Sequence, residues 1–218
     1  MPAGEDPGRR PLPPDLARLL HDVRGPLNSL TFELEFVLKH AAVGNALAEE
    51  RLRAAQAQLG RLTELLAAAF AVAALERGPL VGVDLRVVVE AARGQAGAAV
   101  DVGDGPWPTV AGDAALLTLA ISHLVLNAVE ATPAGGRAPL VSVGVAGNTA
   151  RLQVRDWGHG LRTSDPKLLI KLLHSTKPGH RGIGLVTVER VARLHAGDLR
   201  LESPGDGTAV TLTLPLAP

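Results

Sequence analysis

Apolar residues at Leu16, Leu20, Val23, Leu27, Leu30, Leu34, Val37 and Ala41 are separated by alternating steps of four and three. That spacing keeps one stripe of a helix turned toward a partner and predicts a long helix with a heptad seam. A second seam runs through Leu52, Ala55, Leu59, Leu62, Leu66, Ala69 and Ala73, after a break at Gly44-Asn45. Two long helices joined by a short turn form an antiparallel hairpin. A hairpin cannot cover its own stripe, so the expected arrangement is a homodimer that completes a four-helix bundle. The alternative is that the stripe packs on the C-terminal half of the same chain.

The period changes after Gly78-Pro79, a dipeptide that suits a boundary. Leu85 to Ala96 and Asp113 to Thr132 keep a helical pattern, whereas Val141 to Val145, Ala150 to Val154, Asp198 to Glu202 and Ala209 to Leu214 alternate as strands do. The tight links Ala146-Gly147-Asn148 and Pro204-Gly205-Asp206-Gly207 suggest hairpins. The second region is therefore expected to be α/β, a mixed sheet with helices on one face.

Composition narrows the chemistry. The chain has 218 residues, 46% of them apolar, enough for one or two domains with buried cores. Lysine plus arginine equals aspartate plus glutamate at 22 each, so no basic field points to nucleic acid. Aromatic residues are scarce and tyrosine is absent, which argues against base-stacking platforms. The absence of cysteine removes disulfides, thiolate zinc sites and cysteine nucleophiles. Residues 1–11 carry Glu5, Asp6 and several prolines in place of an apolar run, and read as a flexible leader rather than a secretory signal. The most apolar helical segment, taken as Leu65 to Leu75, falls short of the roughly 20 residues of a membrane span. No membrane partner is expected, and the expected location is the cytoplasm.

Against this background His21 stands out. It lies one step past Leu20, off the apolar stripe, where its ring faces solvent or a docking partner. Asp22 can accept a hydrogen bond from the imidazole and leave the other nitrogen nucleophilic toward a phosphoryl group. Pro26 should cost about 3 kcal/mol relative to alanine inside a helix. The seam nevertheless stays in phase from Val23 to Leu30, which points to a local kink beside the histidine.

A phosphate acceptor needs a nucleotide site. Neither a Gly-x-x-x-x-Gly-Lys-Ser/Thr loop nor a strand followed by Gly-x-Gly-x-x-Gly is present. The helix over Asp113 to Thr132 instead carries His123 and Asn127 one turn apart on one face, with Glu130 close by. The Asn127 amide oxygen can help hold magnesium, an ion that prefers oxygen ligands. Asp156-Trp157-Gly158-His159-Gly160 follows a strand. Its carboxylate can accept from an adenine amino group while Gly158 and Gly160 let the base approach the backbone. Ser175-Thr176-Lys177-Pro178-Gly179-His180-Arg181-Gly182-Ile183-Gly184-Leu185 then leads into a helix, with Lys177 and Arg181 as charges for phosphates at a helix N-terminus.

In this order and spacing the segments resemble the sensor histidine kinases of bacterial two-component systems. His21-Asp22-Val23-Arg24-Gly25-Pro26-Leu27 is similar to their histidine box, and His123-Leu124-Val125-Leu126-Asn127-Ala128-Val129-Glu130-Ala131 to their asparagine box. Asp156 to Gly160 resembles the first glycine box, Gly182-Ile183-Gly184-Leu185 the second, and Gly205-Asp206-Gly207-Thr208 the closing turn before the last strand. The resemblance implies a dimerisation and phosphotransfer hairpin over 12–77, a linker over 78–83 and an ATP-binding α/β sandwich over 84–218. It also implies that ATP with Mg2+, held by Asn127, Asp156 and the glycine boxes, phosphorylates His21 with Asp22 as general base. A response-regulator receiver domain then takes the phosphoryl group, and Leu161 to His180 forms a lid over the phosphates. The leader before Leu16 is too short for a sensory domain, so input is expected through an upstream partner.

The chain departs from that pattern at four places. Gly25 stands where many members carry threonine or asparagine to orient the water that dephosphorylates the regulator, and Asn28 lies about 10 Å along a helix from His21, so weak phosphatase activity is expected. His123 replaces the first asparagine of its box, as a functional group or as a structural one. The lid segment Leu168 to His174 lacks the usual phenylalanines, and His180 replaces the first glycine of the second box. The alternative function is a non-enzymatic phosphotransfer protein that uses the ATP-like domain for docking.

Overall fold

The computed structural model describes residues 25, 27–37, 39, 46–161 and 183–218. The chain divides into two compact units, Met1–Ala73 and Ala74–Pro218. His21, Asp22 and Pro26 lie outside the described residues, as do the turn at Gly44-Asn45 and residues 162–182.

In the first unit residues 27–37 are helical (α1), and a 28-residue helix, α2, spans Ala46–Ala73. The two lie side by side, since the Arg51 guanidinium meets the Glu33 carboxylate at 3.2 Å and sits 4.9 Å from the centre of the Phe36 ring. The buried stripe of α2 is turned from the expected seam. Ala55, Leu62 and Ala69 are buried as expected, but Leu65 and Val72 join them, while Leu52, Leu59 and Leu66 stay 44%, 52% and 39% exposed. Leu27 and Leu34 of α1, also seven apart, are exposed as well. Two columns of each heptad are apolar, and a helix with one neighbour can turn only one of them inward.

The second unit is α/β. Asp84 caps α3 (Leu85–Ala96) by accepting from the Arg86 amide at 2.7 Å, and Leu85, Val88, Val89 and Ala92 form the helix's buried face. Asp113 caps α4 (Ala114–Ala131), its Oδ1 accepting from the Ala115 and Leu116 amides and its Oδ2 from the Gly78 amide at 3.0 Å. Burial alone would raise the Asp113 carboxyl, but these backbone donors, in the order Gly78, Leu116 and Ala115, hold it below the ordinary carboxylate value. The third helix, α5, runs over Gly184–Leu194.

The Asp113 amide donates to Nε2 of the buried His195 at 2.9 Å. The imidazole proton is therefore on Nδ1, which donates to the Val191 carbonyl at 2.7 Å. His195 thus ties the end of α5 to the start of α4, and burial pushes its pKa down.

Five strands, β2 (Asp101–Val102), β4 (Leu140–Ala146), β5 (Thr149–Arg155), β6 (Asp198–Glu202) and β7 (Ala209–Pro215), form a sheet in the order β2-β4-β5-β7-β6. The β2–β4 pair is parallel and the others are antiparallel, so the sheet is mixed as expected. Register sets Val141 opposite Val154 and Leu152 opposite Leu212. These residues share one core with the buried faces of α3, α4 and α5. At the edge, β6 turns Leu199 and Leu201 inward and leaves Asp198, Arg200 and Glu202 exposed.

Two expectations need correction here. The segment 78–83 is not simply a linker, because β1 (Val81–Asp84) pairs antiparallel with β3 (Thr109–Gly112) and the compact unit already begins at Ala74. The most apolar long helix is α4, not Leu65 to Leu75. By length and composition α4 could cross a membrane, yet it lies between α3 and α5 with Leu117, Ala120, Ile121, Leu124, Val125 and Ala128 buried. A helix apolar on most sides is what the middle of a helical layer requires.

Candidate nucleotide-binding site

The C-terminal half of α4 supplies one wall. His123, Asn127 and Ala131 follow at intervals of four and so share a face. The start of α5 approaches this face, and a Cβ placed on Gly184 would lie 3.5 Å from His123 Nδ1 and 3.6 Å from Asn127 Nδ2. The asparagine box and the second glycine box, distant in sequence, are thus in contact. His123 is half-buried, and burial pushes its imidazole below the ordinary 6.5. It is neutral at pH 7, able to donate or accept a hydrogen bond but carrying no charge toward phosphates. Glu130 is exposed on α4, and Leu185 packs half-buried against the core.

Asp156 lies just past the end of β5 and is 7% exposed. Its amide donates to the Thr208 carbonyl at 2.9 Å, and its Oδ1 accepts from the amides of Gly158 at 2.9 Å and Thr208 at 3.1 Å. Both donors among the described residues fall on one oxygen. A carboxylate has two oxygens and about four lone-pair sites, so Oδ2 keeps the capacity to accept from a group that enters the site.

Glycine is required at two of these positions. A Cβ on Gly158 would fall on the Ala131 carbonyl oxygen, so the first glycine box touches the end of α4 backbone to backbone. Gly207, with φ at 72°, lies against the Asp156 carbonyl, where a Cβ would overlap it. Gly160 sits beside Ser203, whose hydroxyl donates to the Gly207 carbonyl at 3.0 Å and accepts from the Leu161 amide at 3.3 Å.

Around this turn the structure adds residues that the sequence did not bring forward. Trp157 Nε1 donates to the Ala138 carbonyl at 3.1 Å. The guanidinium carbons of Arg137 and Arg155 lie 3.9 and 4.1 Å from the centre of its ring, and Arg155 pairs with Asp206 at 2.8 Å. The available signal was that Trp157 is one of only two tryptophans in the chain.

His123, Asn127, Asp156, Gly158, Gly160, Gly184 and Thr208 are accordingly placed on adjoining segments of one unit. His21, Asp22, Ser175, Thr176, Lys177, Arg181 and Gly182 lie outside the described residues, as does His180. Among the described residues no three His, Asp or Glu side chains converge to hold a metal ion. The donor set suits magnesium at Asn127 only if phosphates and water complete its shell, which is how that ion is commonly held.

Comparisons with known proteins agree with this geometry. Residues 112–218 match the family described as "Histidine kinase-, DNA gyrase B-, and HSP90-like ATPase". The chain is 28% identical over 219 residues to the sensor-like histidine kinase SenX3 of Mycobacterium tuberculosis, covering 92% of this chain and 53% of SenX3. It is 29% identical over 116 residues to the signal transduction histidine-protein kinase AtoS of Escherichia coli, covering 53% of this chain and 19% of AtoS. Among solved structures, the mycobacterial sensor histidine kinase MprB superposes with a TM-score of 0.58 at 25% identity, over 63% of this chain and 99% of that one. The chain therefore spans about a fifth to a half of the length of these two curated relatives. With the asparagine-box helix, the buried Asp156 and the glycine contacts in one mixed-sheet unit, residues 112–218 carry the ATP-binding catalytic domain of the histidine kinase type, and the chain is similar to bacterial sensor histidine kinases.

Proposed function

We propose that the chain is an ATP-dependent protein histidine kinase that phosphorylates His21 and passes the phosphoryl group to an aspartate of a response-regulator receiver domain. The observation that carries this reading is Asp156, buried with both of its donors among the described residues on Oδ1, in a turn whose Gly158 abuts the end of the helix that carries Asn127. A carboxylate so fixed accepts from the adenine amino group through its second oxygen, and the neighbouring glycines give the base a flat backbone surface. Asn127 is the residue to hold magnesium, which when bound neutralises phosphate charge. Lys177 and Arg181 contribute further positive charge, with Ser175, Thr176 and Gly182 completing the phosphate side.

In the transfer, a bond forms between an imidazole nitrogen of His21 and phosphorus while the bond to the β–γ bridging oxygen breaks. Asp22 orients the ring and takes the proton from its other nitrogen, and ADP leaves. Positioning and charge neutralisation supply most of the acceleration in phosphoryl transfer. The exposed column Leu52, Leu59 and Leu66, with Leu27 and Leu34, supports a homodimeric four-helix bundle as the working form. Gly25 leaves no side chain to orient a hydrolytic water, so phosphatase activity toward the regulator is weak. The cytoplasm is the proposed location, with input from an upstream sensory partner.

The test is incubation of the purified chain with γ-labelled ATP and Mg2+ beside the His21→Gln and Asn127→Ala variants. Acid-labile label on the wild type and on neither variant is the expected result. A wild type that binds no nucleotide, yet accepts phosphate from a phosphorylated regulator, would establish the non-enzymatic relay instead.

A further inference from the structure

The side chain beside Asp156 is linked to it by a closed circuit of contacts. Trp157 donates from its indole to Ala138 in the connection after α4, and two guanidiniums stack on its ring. One of these, Arg155, reaches Asp206 in the turn that ends at Thr208. The Thr208 amide returns to Asp156 Oδ1, and Gly207 fills the space against the Asp156 carbonyl. The circuit thus runs from Asp156 along the chain to Trp157, across to Arg155 and Asp206, and back to Asp156.

No single link in it is strong. The Asp206 carboxylate is 70% exposed, and an ion pair with one exposed partner contributes little alone. Stacking of arginine on an indole face is more durable, because the guanidinium is weakly hydrated and the ring quadrupole attracts it. Closure changes the sum, since Asp156 cannot shift without disturbing the turn, the ring and the connection after α4 together. Asp206 also offsets one of the two positive charges gathered at the ring.

We infer that Trp157, stacked with Arg137 and Arg155, is a positioning residue that aligns the Asp156 carboxylate for the adenine amino group and so sets nucleotide selectivity. The inference rests on the nucleotide-site reading above. A site that hydrogen-bonds a substrate N–H discriminates strongly against an analogue lacking it, provided the acceptor is held in place. Displacing a positioned group by about 1 Å costs on the order of 100-fold.

The experiment measures affinity of the full chain for ATP and for inosine triphosphate, which has a carbonyl where adenine has its amino group. The quantity read is the ratio of the two affinities, which a uniform loss of folded protein leaves unchanged. Wild type should favour ATP. Trp157→Ala should reduce the ratio at least about tenfold, Trp157→Phe should retain part of it through the ring, and Arg200→Gln on β6 should leave it unaltered. If Trp157→Ala does not fold, Arg137→Ala decides the matter, because Arg137 is exposed and touches the ring from outside. Its ratio should fall several-fold. A folded Trp157→Ala or, failing that, a folded Arg137→Ala with the wild-type ratio overturns the inference while leaving the nucleotide site intact. A wild type without preference for ATP overturns both.

Discussion

Substituting Gly207 by alanine tests the packing of the nucleotide site at its tightest point. The backbone there has φ of 72°, and the left-handed region costs a residue with a Cβ about 1–2 kcal/mol. The new Cβ would also overlap the Asp156 carbonyl oxygen and lie 2.6 Å from its carbon and 2.8 Å from Trp157 Cα. All three are backbone atoms, so no rotamer change relieves the overlap, and forced displacement of this kind costs about 1–3 kcal/mol. The expected loss is therefore about 2–5 kcal/mol.

Gly205→Ala is the matched control in the same turn. Its φ of 92° carries similar strain, but a Cβ at this position would meet nothing within 4 Å, so it should lose only about 1–2 kcal/mol. Urea unfolding followed by tryptophan fluorescence is the appropriate assay, because Trp107 and Trp157 both belong to the Ala74–Pro218 unit. Two variants within about 0.5 kcal/mol of each other, near the uncertainty of such comparisons, would refute the close approach of Gly207 to Asp156. Gly207→Ala should in addition weaken ATP binding beyond its effect on folding, whereas Gly205→Ala should not.

Further outcomes follow from other parts of the molecule. His195 and His123 both have pKa values lowered by burial; the unfolded chain binds the extra protons, so stability is full above about pH 6.5 and falls as pH drops toward the folded values. Urea midpoints at pH 7.5 and 5.5 check this, and a higher midpoint at 5.5 would contradict it. Asp113→Ala removes the cap of α4 and the acceptor for Gly78, and should cost about 2 kcal/mol by thermal unfolding, with Asp113→Asn retaining much of it. Replacing Leu59 and Leu66 together by lysine should turn a dimer into a monomer in sedimentation; an unchanged mass would remove the exposed column from the interface. A Cβ at Gly25 would meet nothing within 4 Å among the described residues, and Gly25→Thr should raise regulator dephosphorylation while leaving His21 labelling unchanged, as measured on a phosphorylated receiver domain.

Much of this architecture could be read in the chain because its longer elements carry regular patterns. The helix expected over Leu85 to Ala96 is α3, and the ends expected at Asp113 and Thr132 are the two caps of α4. Strands β1 and β3 escaped notice because each has four residues including a glycine, and β2 has two, too few to show alternation. In α2 the seam was legible but its facing was not, since Leu65 and Val72 are buried although their heptad column also holds Arg51 and Gln58, while the wholly apolar column Leu52, Leu59, Leu66 and Ala73 leaves its leucines exposed. Asp156, Asn127 and Gly184 were visible as side chains in motifs. The Thr208 contribution was partly hidden because it is made by a backbone amide. The circuit through Arg155 and Asp206 was hidden because it joins positions 51 residues apart.

The two ends of the five-stranded sheet bear on how copies of the chain meet. An open strand edge is a template for pairing with another molecule, and short or charged edge strands prevent it. One edge, β2, is only two residues long, and the other, β6, sets Asp198, Arg200 and Glu202 toward solvent. A crowded solution of this protein is thereby discouraged from growing sheets from chain to chain. In the homodimer proposed above, self-recognition would fall instead to the leucine columns of the helical unit, an association that closes at two copies and does not propagate.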